Sequence, residues 1–336
     1  MKISIAFLIL AACIPGCHSK KERLVSSDEK LKTIRNCVGR AVVEIPVSLT
    51  ASPLTMGIFR EKELNHQASS IDVTVSTMEI SAPTYLAQTK RREDEIKEMA
   101  GDDIKVLRAV RRIGENITIF RIQEIDDAYA SEVSALIDGA MVTAKLDSYR
   151  NEFEQAEDRL IRLLSRLKYP SSTVGKDLRG FCLGRLVLTG DFETETGRYS
   201  FLDNKGTRIS FDIDTYAPNE NIDLLSRVSG PKSLLTIFKV DHTVLRAREL
   251  NVAGMRAQEW LSWAILQDDS DVRTHTFELQ TMRSTPAKTK PLISVTLRTA
   301  QPHGDGVYAK TSASDEETVR LWDSIVTSIQ ASDADP

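Results

Sequence analysis

Alternation is the clearest pattern in this chain. Ile71, Val73 and Val75 alternate with Asp72, Thr74 and Ser76, and Ile209, Phe211 and Ile213 alternate with Ser210, Asp212 and Asp214. Period two is the mark of a strand with one buried face. Further strand pairs are predicted at 106–112 with 117–122, turned at Gly114-Glu115-Asn116, and at 133–137 with 140–144, turned at Asp138-Gly139. Arg198 opens another hairpin, 198–202 with 208–215. Strands are also expected around 244–250, 257–266, 274–282 and 292–299. Helical periodicity is rarer. Residues 84–100 follow Pro83, which suits a first helical turn, and stop at Gly101. Residues 149–168 place Phe153, Ala156, Leu160, Leu163, Leu164 and Leu167 on one face. A short helix is expected at 220–228. A closing helix at 314–330 buries Val319, Trp322, Val326 and Ile329, extended by Ile325, and starts with a Ser314/Glu317 capping box.

The pattern occurs twice. Cys37-Val38-Gly39-Arg40 and Cys182-Leu183-Gly184-Arg185 each lead into a β-rich run. Each is followed by a strand reaching Ala-Pro (Ala82-Pro83, Ala217-Pro218), a Val-Leu-Arg-Ala string (106–109, 244–247) and an amphipathic helix. Four landmarks in one order argue for a duplicated, domain-sized unit; the alternative is chance recurrence of common residues. The expected class is α+β: two tandem related domains, each an antiparallel sheet with helices packed on one face. The first spans 37–169 and the second 181–330, joined by a linker at 170–180.

The N-terminus carries a targeting signal. Lys2 precedes a short apolar run, residues 3–12, too short to cross a bilayer. Leu10-Ala11-Ala12-Cys13 and Ile14-Pro15-Gly16-Cys17 both resemble a bacterial lipobox. The expectation is a signal peptide at 1–16, lipid on Cys17 with Cys13 as the alternative, and a polar tether at 17–36 that turns helical near 31–35. That places the protein in the periplasm, anchored to the outer membrane, since Asp follows neither cysteine. A plain secretion signal is the alternative. Cys37 and Cys182 then remain as thiols in an oxidising compartment. They form a disulfide if they meet, or else sit as two buried small residues.

Composition narrows the chemistry. The 336 residues are 41% hydrophobic and 27% charged with a net charge of -4, so no basic face for nucleic acid is indicated. The chain has no Gly-x-Ser-x-Gly elbow, no His-Glu-x-x-His and no phosphate-cradling glycine loop. The five histidines (18, 66, 242, 275 and 303) lack metal-ligand spacing. Asp212 and Asp214 share a strand face, which charged strand surfaces commonly do. Asp241-His242 points its two side chains to opposite faces. His303-Gly304-Asp305-Gly306 reads as a turn. No catalytic residue, metal or cofactor is expected.

Several of these strings, in order, resemble the immunity proteins that neutralise class-four lipase effectors of the bacterial type VI secretion system. The similar stretches are Cys37 to Pro46, Phe181-Cys182, Glu259-Trp260, the 292–299 strand, Gly304-Asp305-Gly306 and the last helix with Leu321-Trp322-Asp323. Gly184-Arg185 departs from the more acidic, glycine-rich string expected there. The resemblance implies a two-domain periplasmic inhibitor that binds a cognate lipase of α/β-hydrolase type, clamps it in a closed state, and meets the membrane through its N-terminal lipid. Effector-contacting residues are not identifiable from it; exposed loops and the cleft between domains are the places to look, with the linker setting the clamp angle. The competing reading is an envelope lipoprotein with a structural or lipid-carrying role.

Overall fold

The computed structural model describes residues 31–61, 70–99, 105–149, 152–170, 180–216, 223–229, 241–266, 269–282, 287–300 and 313–331. The first half opens with β1 (Thr33–Val38) and β2 (Ala41–Pro46), turned on Gly39-Arg40. The short β3 (Thr50–Ala51), β4 (Leu54–Glu61) and β5 (Ile71–Ser76) follow, then α1 (Ala82–Met99) with Pro83 in its first turn. A meander of β6 (Val106–Ile113), β7 (Ile117–Ile125), β8 (Ala128–Ile137) and β9 (Ala140–Tyr149) leads to α2 (Phe153–Ser165) and β10 (Leu167–Lys168).

The second half runs through the same order. β11 (Phe181–Leu183) and β12 (Leu186–Leu188) form a hairpin turned on Gly184-Arg185. Then come β13 (Phe192–Leu202), β14 (Arg208–Asp214) and α3 (Leu224–Ser229). The meander is β15 (Thr243–Val252), β16 (Met255–Leu266), β17 (Asp269–Thr281) and β18 (Leu292–Arg298), closed by α4 (Asp315–Val326) and β19 (Gln330–Ala331). In both tetrads only the glycine takes positive φ, 58° at Gly39 and 60° at Gly184. That pattern suits a two-residue hairpin turn and explains why the string needs glycine before arginine.

The halves fuse into one antiparallel sheet, ordered β15-β16-β17-β18-β14-β13-β4-β5-β9-β8-β7-β6, with β3 alongside β13. The order is palindromic about the β13–β4 seam, where Gly57 faces Gly197. A Cβ on Gly57 would lie 2.8 Å from the Phe59 ring, and one on Gly197 would lie 2.6 Å from Tyr199 Oη. Glycine at the seam lets each aromatic fold back along its own strand. About this local two-fold, Phe59 matches Tyr199, Ile58 matches Arg198 and Asp72 matches Asp212.

The opening hairpins are exchanged. β1-β2 is completed by β19, which follows the last helix of the second half, and β11-β12 by β10, which follows the last helix of the first. Gly39 sits against Ile213 of the second half, and Gly184 against Val75 of the first. One hydrophobic cluster joins both hairpins, α2, α4 and the inner sheet face, from Val73 and Val142 to Phe211, Phe277 and Trp322.

Several expectations are corrected. Helices lie on both sheet faces. α2 and α4 pack with Val133, Ala135 and Leu279, whereas α1 reaches the alternate residues Glu132 and Ser134, and α3 reaches Gln258 and Gln280. The tether end is strand, not helix, from Thr33. The 149–168 helix shortens to Phe153–Ser165, because Tyr149 and Leu167 are taken up by strands. Thr33–Pro336 forms one compact unit, in which pairing β4 with β13 hides two strand edges; all but the ends of the expected 170–180 linker lies outside the described residues. The Ser314/Glu317 capping box forms as expected, at 3.2 and 2.8 Å.

Candidate partner-binding face

The covered face of the sheet holds a clasp. Cys37 and Cys182 are joined by a disulfide, with Cα atoms 5.8 Å apart, so the bond ties the two exchanged hairpins. Beside it the Cys182 amide donates to the Gly39 carbonyl at 2.9 Å. The Tyr199 phenol accepts from the Gly39 amide at 2.8 Å and donates to the Cys182 carbonyl. Burial holds that phenol well above its ordinary pKa, so it stays a donor. Arg40 makes a bidentate pair with the fully buried Glu195, at 2.5 and 2.7 Å. Arg185, at the matching turn, instead reaches the exposed Glu79 at 3.5 Å and lies over the Tyr169 ring, 5.6 Å from its centre.

The opposite face is the candidate site. α1 covers one arm of the sheet through Tyr85, Thr89 and the small cluster of Ile96, Phe120, Ile122 and Ala130. α3 sits over the other arm, and the seam between them is open. Leu54, Met56 and Ile58, successive outward residues of β4, are 55%, 58% and 46% exposed. Three large apolar residues in a row on a central strand call for a partner. Covering their free half is worth roughly 2–4 kcal/mol.

Two grooves flank this strip. One, of about 350 Å³, crosses the seam over Met56, Ile58, Thr196, Arg198 and Asp212. The other, of about 400 Å³, runs under α1 between Asp72, Lys145, Glu132 and Arg92. Arg92 pairs with Glu132 at 2.8 Å, and Lys145 with Asp147 at 3.1 Å and Glu124 at 3.3 Å. Partial burial, and then Asp147, raise the Asp72 carboxyl above its ordinary pKa, against the pull of Lys145.

Other residues singled out by sequence lie elsewhere. Cys13 and Cys17, and the 303–306 turn, fall outside the described residues. Asp212 and Asp214 do not share a proton or a cation: Asp212 pairs with Arg198 at 2.7 Å, and Asp214 accepts the Tyr216 amide at 2.7 Å. His242 meets Trp260 at a tilt, with ring centres 5.6 Å apart. Glu259 and the Leu321-Trp322-Asp323 string meet: Glu259 accepts from Trp322 Nε1 at 3.0 Å, and Arg246 links Glu259 to Asp323. His275 bridges Thr299 Oγ1 at 3.2 Å and Asp315 at 2.8 Å. That hydroxyl–imidazole–carboxylate line looks catalytic on paper. Both Thr299 and His275 are enclosed, so no substrate reaches them, and the line instead pins the first residue of α4. Among the described residues no group of three His, Cys, Asp or Glu side chains is placed to hold a metal. No described helix is long and apolar enough to cross a membrane.

The apolar strip escaped sequence reading. Leu54, Met56 and Ile58 alternate with Thr55 and Gly57, so period two points the apolar side inward, whereas the structure exposes it and buries Thr55, Gly57 and Phe59.

Residues 177–332 match the family model of the Tle cognate immunity protein 4 C-terminal domain. No curated protein matches the chain. Among solved structures, the fold is similar to the apo immunity protein TplEi of the type VI secretion system of Pseudomonas aeruginosa. The TM-score is 0.64 at 18% identity, covering 91% of this chain and 99% of that one. It is also similar to the crystal structure of the Tle4–Tli4 complex, with TM-score 0.63, 18% identity, and 90% and 98% of the two chains covered. TplEi complexed with an "L" peptide gives TM-score 0.60 at 19% identity, over 89% and 98%. The resemblance to class-four lipase immunity proteins is thus borne out, by family over residues 177–332 and by fold over nine-tenths of the chain.

Proposed function

We propose that this chain is an immunity protein that binds a cognate lipase effector of the type VI secretion system and inhibits it without catalysis of its own. The observation that carries the docking part of this reading is the open strip of Leu54, Met56 and Ile58 between α1 and α3. The family match over 177–332 supplies the class of partner. Disulfide, buried ion pair and shared sheet make the frame rigid, so little ordering cost opposes binding. The two helix-bearing arms act as the jaws of the clamp, and the grip comes from a fixed saddle. A lipase of α/β-hydrolase type opens to reach lipid, so a saddle that fits its closed form alone shifts the population to that form.

The two halves descend, in this reading, from one duplicated unit; their matched element order supports it. Export through the 1–16 signal and lipid on Cys17 place the inhibitor in the periplasm on the outer membrane, where the lipase attacks. The lipid-carrier reading is weaker: the two grooves are open and flanked by charged side chains, unlike an enclosed apolar cavity.

The test is periplasmic co-expression. Cells making the lipase survive when this chain is exported with it, and the purified chain lowers lipase turnover without hydrolysing phospholipid itself. Unrelieved toxicity, or intrinsic hydrolysis that survives purification, sinks the reading.

A further inference from the structure

The seam makes each half a control for the other. In the second half, Arg198 Nε donates to Asp212 at 2.7 Å on the open face. In the same register of the first half, Ile58 faces Asp72. The first half therefore keeps the carboxylate and lacks the guanidinium. Among the described residues no hydrogen bond or ion pair reaches the Asp72 carboxylate. Lys145 lies opposite it on β9, but that ammonium pairs with Asp147 and Glu124. Asp72 is the carboxylate directly beside the apolar strip: its cross-strand neighbour Ile58 is 46% exposed, while Thr196 and the already paired Arg198 border the strip across the seam.

We propose that the first-half side of this face, Leu54, Met56 and Ile58 with Asp72, docks a lipase segment that presents apolar side chains beside an arginine or lysine. The incoming cation takes the place that Arg198 holds against Asp212. This rests on the immunity reading, and it names the recognition chemistry that reading leaves open. Covering the strip dries the carboxylate, and a dried carboxylate demands a cation. Asp72 is already partly desolvated and beside Asp147, which favours arrival of a positive charge. A bilayer is the poorer occupant, because its anionic surface repels a carboxylate set beside the strip.

The experiment titrates the purified cognate lipase with wild type, Asp72→Asn, Ile58→Arg and Glu44→Gln, by calorimetry and by inhibition. Asp72→Asn is expected to weaken binding about tenfold or more and to flatten its salt dependence. Ile58→Arg weakens it at least as much, because it supplies Asp72 with an internal partner and removes apolar contact. The fold tolerates arginine there, as position 198 shows. Glu44→Gln, at an exposed carboxylate on β2 that already accepts from Thr33 Oγ1 and lies away from this face, changes affinity by less than about twofold. All three variants should melt within a few degrees of wild type, being surface changes. Tight wild-type binding that Asp72→Asn leaves within about twofold overturns this inference alone. Binding of the chain to anionic phospholipid vesicles that Ile58→Arg abolishes overturns it in favour of a membrane. Wild type that neither binds nor inhibits the lipase overturns the immunity reading, and this inference with it.

Discussion

The two halves share a topology and differ in where they keep their charges. At the hairpin turns the first half buries its arginine: Arg40 lies against Glu195, whereas Arg185 reaches out to Glu79. On the open face the distribution reverses. The second half neutralises Asp212 with Arg198, and the first half sets Ile58 beside an unpaired Asp72. α1 is 18 residues long and its counterpart α3 only 6. A duplicated frame can thus hold one scaffold and two surfaces. The covered face is tied at its centre across the two-fold, while the open face carries only α1 and α3 at its arms, so its seam is freer to diverge.

The largest expected effect breaks the tie itself. Replacing Cys37 and Cys182 together by alanine removes a link across 145 residues. The loop-entropy model sets that loss at about 5 kcal/mol, less whatever native-state strain the bond carried. Denaturant unfolding of wild type, with and without reductant, and of the double variant measures it. A loss under about 1 kcal/mol would show that Tyr199 and the shared core already hold the hairpins.

Next comes the comparison of the tetrad arginines. Arg40→Ala leaves the fully buried Glu195 carboxylate with Lys288 alone, at 3.8 Å, and is expected to cost about 3 kcal/mol. Arg185→Ala removes a long pair with the exposed Glu79 and a contact with the Tyr169 ring, and should cost about 1 kcal/mol or less. Equal losses would mean that the turn conformation, and not the buried pair, sets the value of the string.

How much of this was legible depends on locality. The strand pairs, both tetrads, Pro83 and the Ser314/Glu317 box are local, and the chain shows them plainly. The exchange of hairpins is not local. Val42 reads as a strand residue, but its pairing with Gln330 depends on the chain's return at the far end. Fusion at the seam rests on Gly57 and Gly197, whose need for a missing Cβ arises only once Phe59 and Tyr199 fold over them. The docking strip was hidden because alternation in β4 points the wrong way: Leu54, Met56 and Ile58 form the exposed side, and Thr55, Gly57 and Phe59 the buried one. Asp212 was singled out for its neighbour Asp214, yet its partner is Arg198 on the next strand, which alternation cannot assign.

The smallest effect separates the two closing helices. α4 starts with a capping box and with Asp315 held by His275 and by Arg273 at 2.6 Å, whereas α2 starts at Glu152 with no side-chain cap. Amide exchange should therefore show the first turn of α2 opening more readily than that of α4. The α4 anchor also gives a pH signature. Burial lowers the His275 pKa, more than Asp315 raises it, so the native state resists the proton that the unfolded chain accepts. A depressed imidazole leaves stability level above the unfolded value of about 6.5 and draws it down as pH falls from there toward the folded value. The lowered Asp315 carboxyl adds a second loss further into acid, because its stabilising charge disappears as pH drops through its folded pKa. His275→Gln should cost about 1–3 kcal/mol at pH 7 through the lost hydrogen bonds. It should also remove the first of the two acid limbs while leaving the second partly in place through Arg273. Unfolding curves of both proteins from pH 8 to pH 3 decide it: an undiminished first limb in the variant would assign that limb to another group and leave α4 pinned by its cap alone.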